Sequence, residues 1–266
     1  MMFAPLAFAD SVVYSTIPST LPPNLTSLGY EATSASEFGE LIQFAGGNAS
    51  YNLTSATVLM SNWAYESQWS SAINGTTITS SGFYEPLTLN LYNVGAGNTV
   101  GSLIATQTVD SFIPWRPEPS GNCGTAWLAS DGQCYNGSLS EVTFNLTGIS
   151  TPGEIIYGLA YNTTDYGASP THVSGPYDSL NFALPTTGTT VGANPLPDTA
   201  YWNTSYALNY TDGGAAGVGT FRQDTSWTPY MGGVQFTATP EPSSLLLLGS
   251  GLGSLLAFYR RARRSD

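Results

Sequence analysis

Apolar residues recur at every second position over much of this chain, a period that admits strands and disfavours amphipathic helices. Leu87, Leu89 and Leu91 alternate with Thr88, Asn90 and Tyr92, so residues 87–94 put their leucines on one face of a strand. Gly95-Ala96-Gly97-Asn98 follows as a turn, and residues 101–109 return as the hairpin partner. Residues 55–65 and 141–146 are also strand-like, 155–161 read as a strand buried on both sides, and 179–184 and 232–238 complete the set. Only residues 34–40 suggest a helix, and Gly39 weakens it. Gly, Pro and Asn clusters separate the strands without βα alternation. The expectation is an all-β fold: a jelly-roll-like β-sandwich with long loops.

Composition fits one such domain. Charged residues are 9% of the chain, against 41% apolar and 12% aromatic, so polarity comes from Asn, Thr, Ser and Tyr, and the bias is not that of disorder. Between residues 10 and 239, two arginines against sixteen acids leave a formal charge of −14. Such a surface repels nucleic acid and anionic headgroups, which excludes both as expected partners of the domain. The two cysteines, Cys123 and Cys134, are expected to form one disulfide in an oxidising compartment.

Both chain ends carry sorting features. Residues 3–10 read Phe-Ala-Pro-Leu-Ala-Phe-Ala-Asp, the end of a secretory signal peptide with an A-x-A cleavage site before Asp10. At the other end Pro240-Glu241-Pro242 precedes an apolar run, residues 245–259, formed around Leu245, Leu246, Leu247, Leu248, Leu252, Leu255, Leu256 and Phe258. Arg260, Arg261, Arg263 and Arg264 close it and are four of the six basic residues in the chain. Arginines resist transfer through a bilayer and stay cytoplasmic, leaving everything before Pro240 outside. As a helix this fifteen-residue run spans about 22 Å, short for a permanent membrane crossing and suited to a segment held briefly for cleavage.

This ordered triple of motif, glycine-broken apolar run and Arg cluster resembles the PEP-CTERM sorting domain of Gram-negative bacteria. The resemblance implies recognition by an exosortase, a membrane transpeptidase-like enzyme, with processing near Pro240-Glu241-Pro242 and an association with exopolysaccharide. It divides the chain into a signal-peptide remnant (1–9), an extracytoplasmic β-sandwich (10–239) and a sorting signal (240–266) ending in a short hydrophobic helix. Segments such as Thr88–Asn93, Ile113-Pro114-Trp115-Arg116-Pro117 and Ile156–Thr163 resemble a recurring ectodomain of PEP-CTERM proteins; that likeness covers about residues 55–240 and speaks to architecture alone.

Signals for chemistry are sparse. His172 is the one histidine, and no G-x-S-x-G elbow accompanies it. A glycosidase needs two carboxylates about 5–9.5 Å apart, which sequence cannot select from sixteen acids. Asp165, Asp178, Asp198 and Asp212 lie in Asn/Gly-rich loops whose oxygens suit Ca²⁺, although Asx-turns explain them more simply. No metal or cofactor is otherwise expected. Of the six tryptophans, Trp115, flanked by Pro114 and Pro117, is the candidate for an exposed, sugar-stacking aromatic. The expectation is a non-enzymatic exported protein with a structural or adhesive role at the cell surface or in its matrix. The alternative is a carbohydrate-binding module or carbohydrate-active enzyme on the same fold.

Overall fold

The computed structural model of the chain describes residues 10–68, 78–161 and 180–239. In chain order the strands are β1 (Ser11–Ser15), β2 (Ser27–Leu28), β3 (Ala35–Gln43), β4 (Ser50–Asn62), β5 (Ile78–Thr79), β6 (Gly82–Val94), β7 (Val100–Pro114) and β8 (Trp127–Leu128). They continue with β9 (Cys134–Tyr135), β10 (Ser138–Pro152), β11 (Glu154–Ala160), β12 (Leu180–Ala183), β13 (Thr199–Thr204), β14 (Arg222–Thr225) and β15 (Val234–Thr239). One antiparallel sheet runs β1-β15-β4-β12-β2, with β10 also paired to β4. The second runs β14-β13-β3-β11-β6-β5, with β7 also on β6. Strands β8 and β9 form a separate small hairpin.

The two sheets bury one core between them. Phe38 of the second sheet meets Phe182 of the first edge to face at 6.0 Å, and Tyr157 meets Phe236 at the same distance. Leu87, Leu89 and Leu91 all point into this core, as the alternation requires, and each side chain so buried contributes about 1.5–3 kcal/mol. The fold is thus the expected all-β sandwich, and the 87–109 hairpin forms as β6 and β7 with Leu89 opposite Gln107.

The helix expected over residues 34–40 is replaced by a strand. A single helical turn, α1 (Tyr30–Thr33), ends at Ser34 with φ 52°, a left-handed conformation that reverses the chain. Strand β3 follows at once and lies between β11 and β13. Both of its backbone edges are hydrogen-bonded and residues 37–42 are buried, so tertiary pairing overrides a weak helical preference. Strands β1, β13 and β14 were not anticipated from sequence; β1 and β14 are sheet edges, and β13 lies between β14 and β3.

Candidate functional site

Alternation along β3 sends Phe38, Glu40 and Ile42 toward the core between the sheets and Glu37, Gly39 and Leu41 to the outer face of the second sheet. Glu37 crosses over Gly158 of β11, where a Cβ would collide with its side chain. The Asn90 amide and the Tyr92 hydroxyl each donate to Glu37 Oε1 at 2.9 Å. Burial pushes this carboxyl above the usual range, and the two hydrogen bonds pull it part of the way back. The Tyr92 ring lies 5.5 Å from Phe221.

From Glu37 the polar network runs outward along β6 and β7. Thr106 donates to Asn90 Oδ1 at 2.8 Å. One rung further, the hydroxyls of Thr88 and Thr108 bond to each other at 2.8 Å. Two rungs beyond, Tyr84 and Phe112 sit opposite one another in the ladder with ring centroids 5.4 Å apart. Both are exposed, at 36% and 41%. All these β6 residues are even-numbered and share the outer face, because the odd ones fill the core. From Tyr84 to Tyr92 the strand covers about 27 Å at about 3.4 Å per residue. The result is a line along the outer face with an aromatic pair at one end, the Pro86–Asp110, hydroxyl and amide rungs between, and the buried Glu37 carboxylate with a second aromatic pair at the other.

Two other acids lie on this face. Glu154 is six residues from Ala160, the partner of Glu37, which separates their backbones by about 20 Å along the strand. Asp110 pairs with Pro86, three strands from Glu37 and two residues further along, so their backbones are about 16 Å apart.

The residue singled out from sequence for sugar stacking is placed differently. Trp115 shares the inward phase of Ile113, is half-buried, and packs against the core with its ring 5.1 Å from Phe83. Its indole N–H donates to the Thr79 carbonyl at 3.0 Å. Strand β7 runs through Pro114, so the prolines do not hold a loop away from the core; the exposed aromatic is Phe112, of the opposite phase. Neighbouring Arg116 is buried. Its guanidinium donates to the carbonyls of Trp63 (2.7 Å), Pro117 (3.0 Å) and Thr125 (2.8 Å) and stacks 4.4 Å from the Tyr65 ring centroid.

Cys123 and Cys134 form the expected disulfide, linking the β8–β9 hairpin to the loop that Arg116 clamps. Asp198 accepts from the Thr228 N–H at 3.3 Å. Asp212 pairs with Arg222 at 2.8 Å and caps the N–H groups of Gly214 and Ala216. Trp202 and Trp227 pack edge to face in the core. Among the described residues no group of three His, Cys, Asp or Glu side chains is placed to hold a metal. His172, Asp165 and Asp178 lie outside the described residues, as do Pro240, Glu241, Pro242, the apolar run and the four terminal arginines. Among the described residues no helix is long and apolar enough to cross a membrane.

A second internal carboxylate accompanies Glu37. Glu40, between the sheets, accepts from the Gly232 N–H at 3.1 Å and from the Tyr157 hydroxyl at 3.5 Å. Burial pushes its carboxyl up to about 8. Sequence reasoning missed both acids, because a Glu in a strand ordinarily signals the solvent face.

Comparison with known families identifies a PEP-CTERM protein-sorting motif over residues 238–264. Neither a curated protein nor a solved structure matches the chain. The motif marks an exported protein, anchored by its C-terminus in the membrane before an exosortase processes it. Ahead of it lies the β-rich domain described above.

Proposed function

We propose that the domain is a non-enzymatic component of the cell surface or its matrix that binds exopolysaccharide along the outer face of the second sheet. The observation that carries this reading is the linear track from Tyr84 and Phe112, over the Thr88–Thr108 and Asn90–Thr106 rungs, to Glu37. A polysaccharide presents sugar C–H faces to aromatic rings and hydroxyls to amides, hydroxyls and carboxylates; the track offers both in one line. An aromatic contact of this kind adds about 0.5–1.5 kcal/mol beyond its buried area. A single chain therefore binds weakly, and many copies on one surface raise the avidity. The formal charge of −14 between residues 10 and 239 disfavours highly anionic polymers, so a neutral or amino-substituted polysaccharide fits best.

The test is co-sedimentation of the processed, exported protein with insoluble exopolysaccharide from its host, with reducing ends assayed in the same tubes. Retention without new reducing ends is expected, and Glu37→Gln should weaken it. Release of reducing sugar that disappears in acidic-residue variants would make the protein an enzyme and overturn the proposal.

A further inference from the structure

The first sheet ends where the sorting motif begins. Strand β15 lies between β1 and β4, and its last residues, Ala238 and Thr239, stand in register with Leu53 and Asn52. Ala238 is 1% exposed, and the Thr239 hydroxyl lies 3.5 Å from the Asn52 carbonyl. Pro240 follows without a linker. Glu241 is two residues from Thr239, at most about 7 Å, and Leu245 is six residues away, at most about 22 Å. An enzyme in the membrane that engages Pro240-Glu241-Pro242 is therefore brought against this end of the sandwich.

That end carries a groove. Ser50, two residues before Asn52, pairs with Pro152, and the flanking β3–β4 and β10–β11 connections border an open groove of about 860 Å³. Small residues and backbone line much of it, with Gly46, Gly47, Asn48, Ala49 and Gly153 on its rim and Glu154 as its one charged side chain. The rim is braced: the Tyr51 hydroxyl donates to the Ala45 carbonyl at 2.6 Å and accepts the Asn48 N–H at 3.1 Å. Gly46 and Gly47 hold φ of 101° and 66°, so the turn needs residues without a Cβ. In a domain this acidic, a groove with one acid and no base is close to neutral.

We propose that this groove-bearing end is the surface on which the exosortase docks while it processes the tail. The tether length fixes the enzyme beside it, and the preformed, small-residue groove gives a protruding loop of the enzyme a place to sit. The disulfide-bearing hairpin belongs to the opposite end of the sandwich, because Asn62, at the far end of β4, bonds Pro114 and pairs with Ser138.

Two experiments on the full chain in its host test this. In the first, a photo-crosslinking residue replaces Asn48, or Gln133 in the distal hairpin. Adducts with the exosortase from position 48 and none from 133 are expected. Adducts with lipid alone at 48, or with the enzyme only at 133, would overturn the proposal. In the second, Asn48→Arg is combined with a flexible Gly-Ser spacer of about ten residues placed between Thr239 and Pro240. At native spacing Asn48→Arg should slow processing about tenfold, equivalent to about 1.4 kcal/mol of lost docking. With the spacer, Asn48→Arg should have little effect, because the motif is then reachable without the domain. An equal slowing at both spacings would point to a folding defect, and no slowing at native spacing would remove the docking role; either result overturns the proposal.

Discussion

Ser11 and Ala238 face each other across the β1–β15 ladder, with the Ser11 hydroxyl 3.5 Å from the Ala238 carbonyl. The strand that follows the expected signal-peptide cleavage site and the strand that leads into the sorting motif are therefore neighbours. The expected cleavage site and the sorting motif therefore adjoin the same edge of the first sheet. The described sheet ends at Thr239, and β15 lies inside it, between β1 and β4.

The first prediction follows from that boundary. A chain ending at Thr239 should keep the full-length protein's thermal midpoint. Phe236→Ala should lower stability by about 3–5 kcal/mol, since Phe236 is buried and meets both Phe44 and Tyr157. Denaturant titration of the exported proteins checks both; a large loss of stability in the chain ending at Thr239 would show that the tail belongs to the fold.

Glu40 makes stability depend on pH in a definite direction. Its carboxyl titrates at about 8 in the folded protein against 4.5 ordinarily. Between those values the unfolded chain gives up a proton that the folded chain keeps, so stability falls as pH rises through this window. Below it both states are protonated and the contribution is complete. Thermal scans from pH 4.5 to 8.5 should show this decline, and Glu40→Gln, which can still accept from Gly232, should flatten it. An unchanged slope in Glu40→Gln would assign the pH dependence to another group.

Arg116 and the disulfide brace the same loop. Arg116→Lys keeps the charge but not the planar fork; leaving buried carbonyls unsatisfied should cost about 1–3 kcal/mol. Cys134→Ser should cost about 2–3 kcal/mol by loop entropy without abolishing the fold, because neither core-forming sheet includes β8 or β9. Mass spectrometry of the exported protein should find both thiols blocked to alkylation.

Processing should depend on the motif. Glu241→Ala should leave precursor in the membrane, and deleting residues 245–259 should release the domain. Immunoblots of membrane and medium fractions distinguish the two; identical mature mass for wild type and Glu241→Ala would contradict recognition of the motif.

Much of this architecture was legible in the sequence, and the failures share a cause. Leu87, Leu89 and Leu91 announced their strand because one face is apolar and the other polar. Strand β3 did not, because both its faces are buried and each carries a glutamate, Glu37 outward and Glu40 inward. Trp115 was misplaced because the prolines beside it suggested a loop, while β7 continues in phase from Ile113. Extending the β6 alternation back to Gly82 puts Tyr84 on the outer face, and the hairpin register brings Phe112 opposite it; the signal was present, but the strands are longer than their apolar alternation. The meeting of Glu37 with Asn90 and Tyr92 joins strands about fifty residues apart and left no local trace.

The most direct test of the proposed function is binding of the processed protein to exopolysaccharide with Tyr84 and Phe112 both changed to Ala. Both side chains lie at the surface, so the double variant should fold, losing only the roughly 0.2–1 kcal/mol of their cross-strand pair. Affinity gel electrophoresis through gels containing the host polysaccharide should show retardation of the wild type and little or none for the double variant. Equal retardation of the two proteins, both folded, would contradict the assignment of this face as the binding surface.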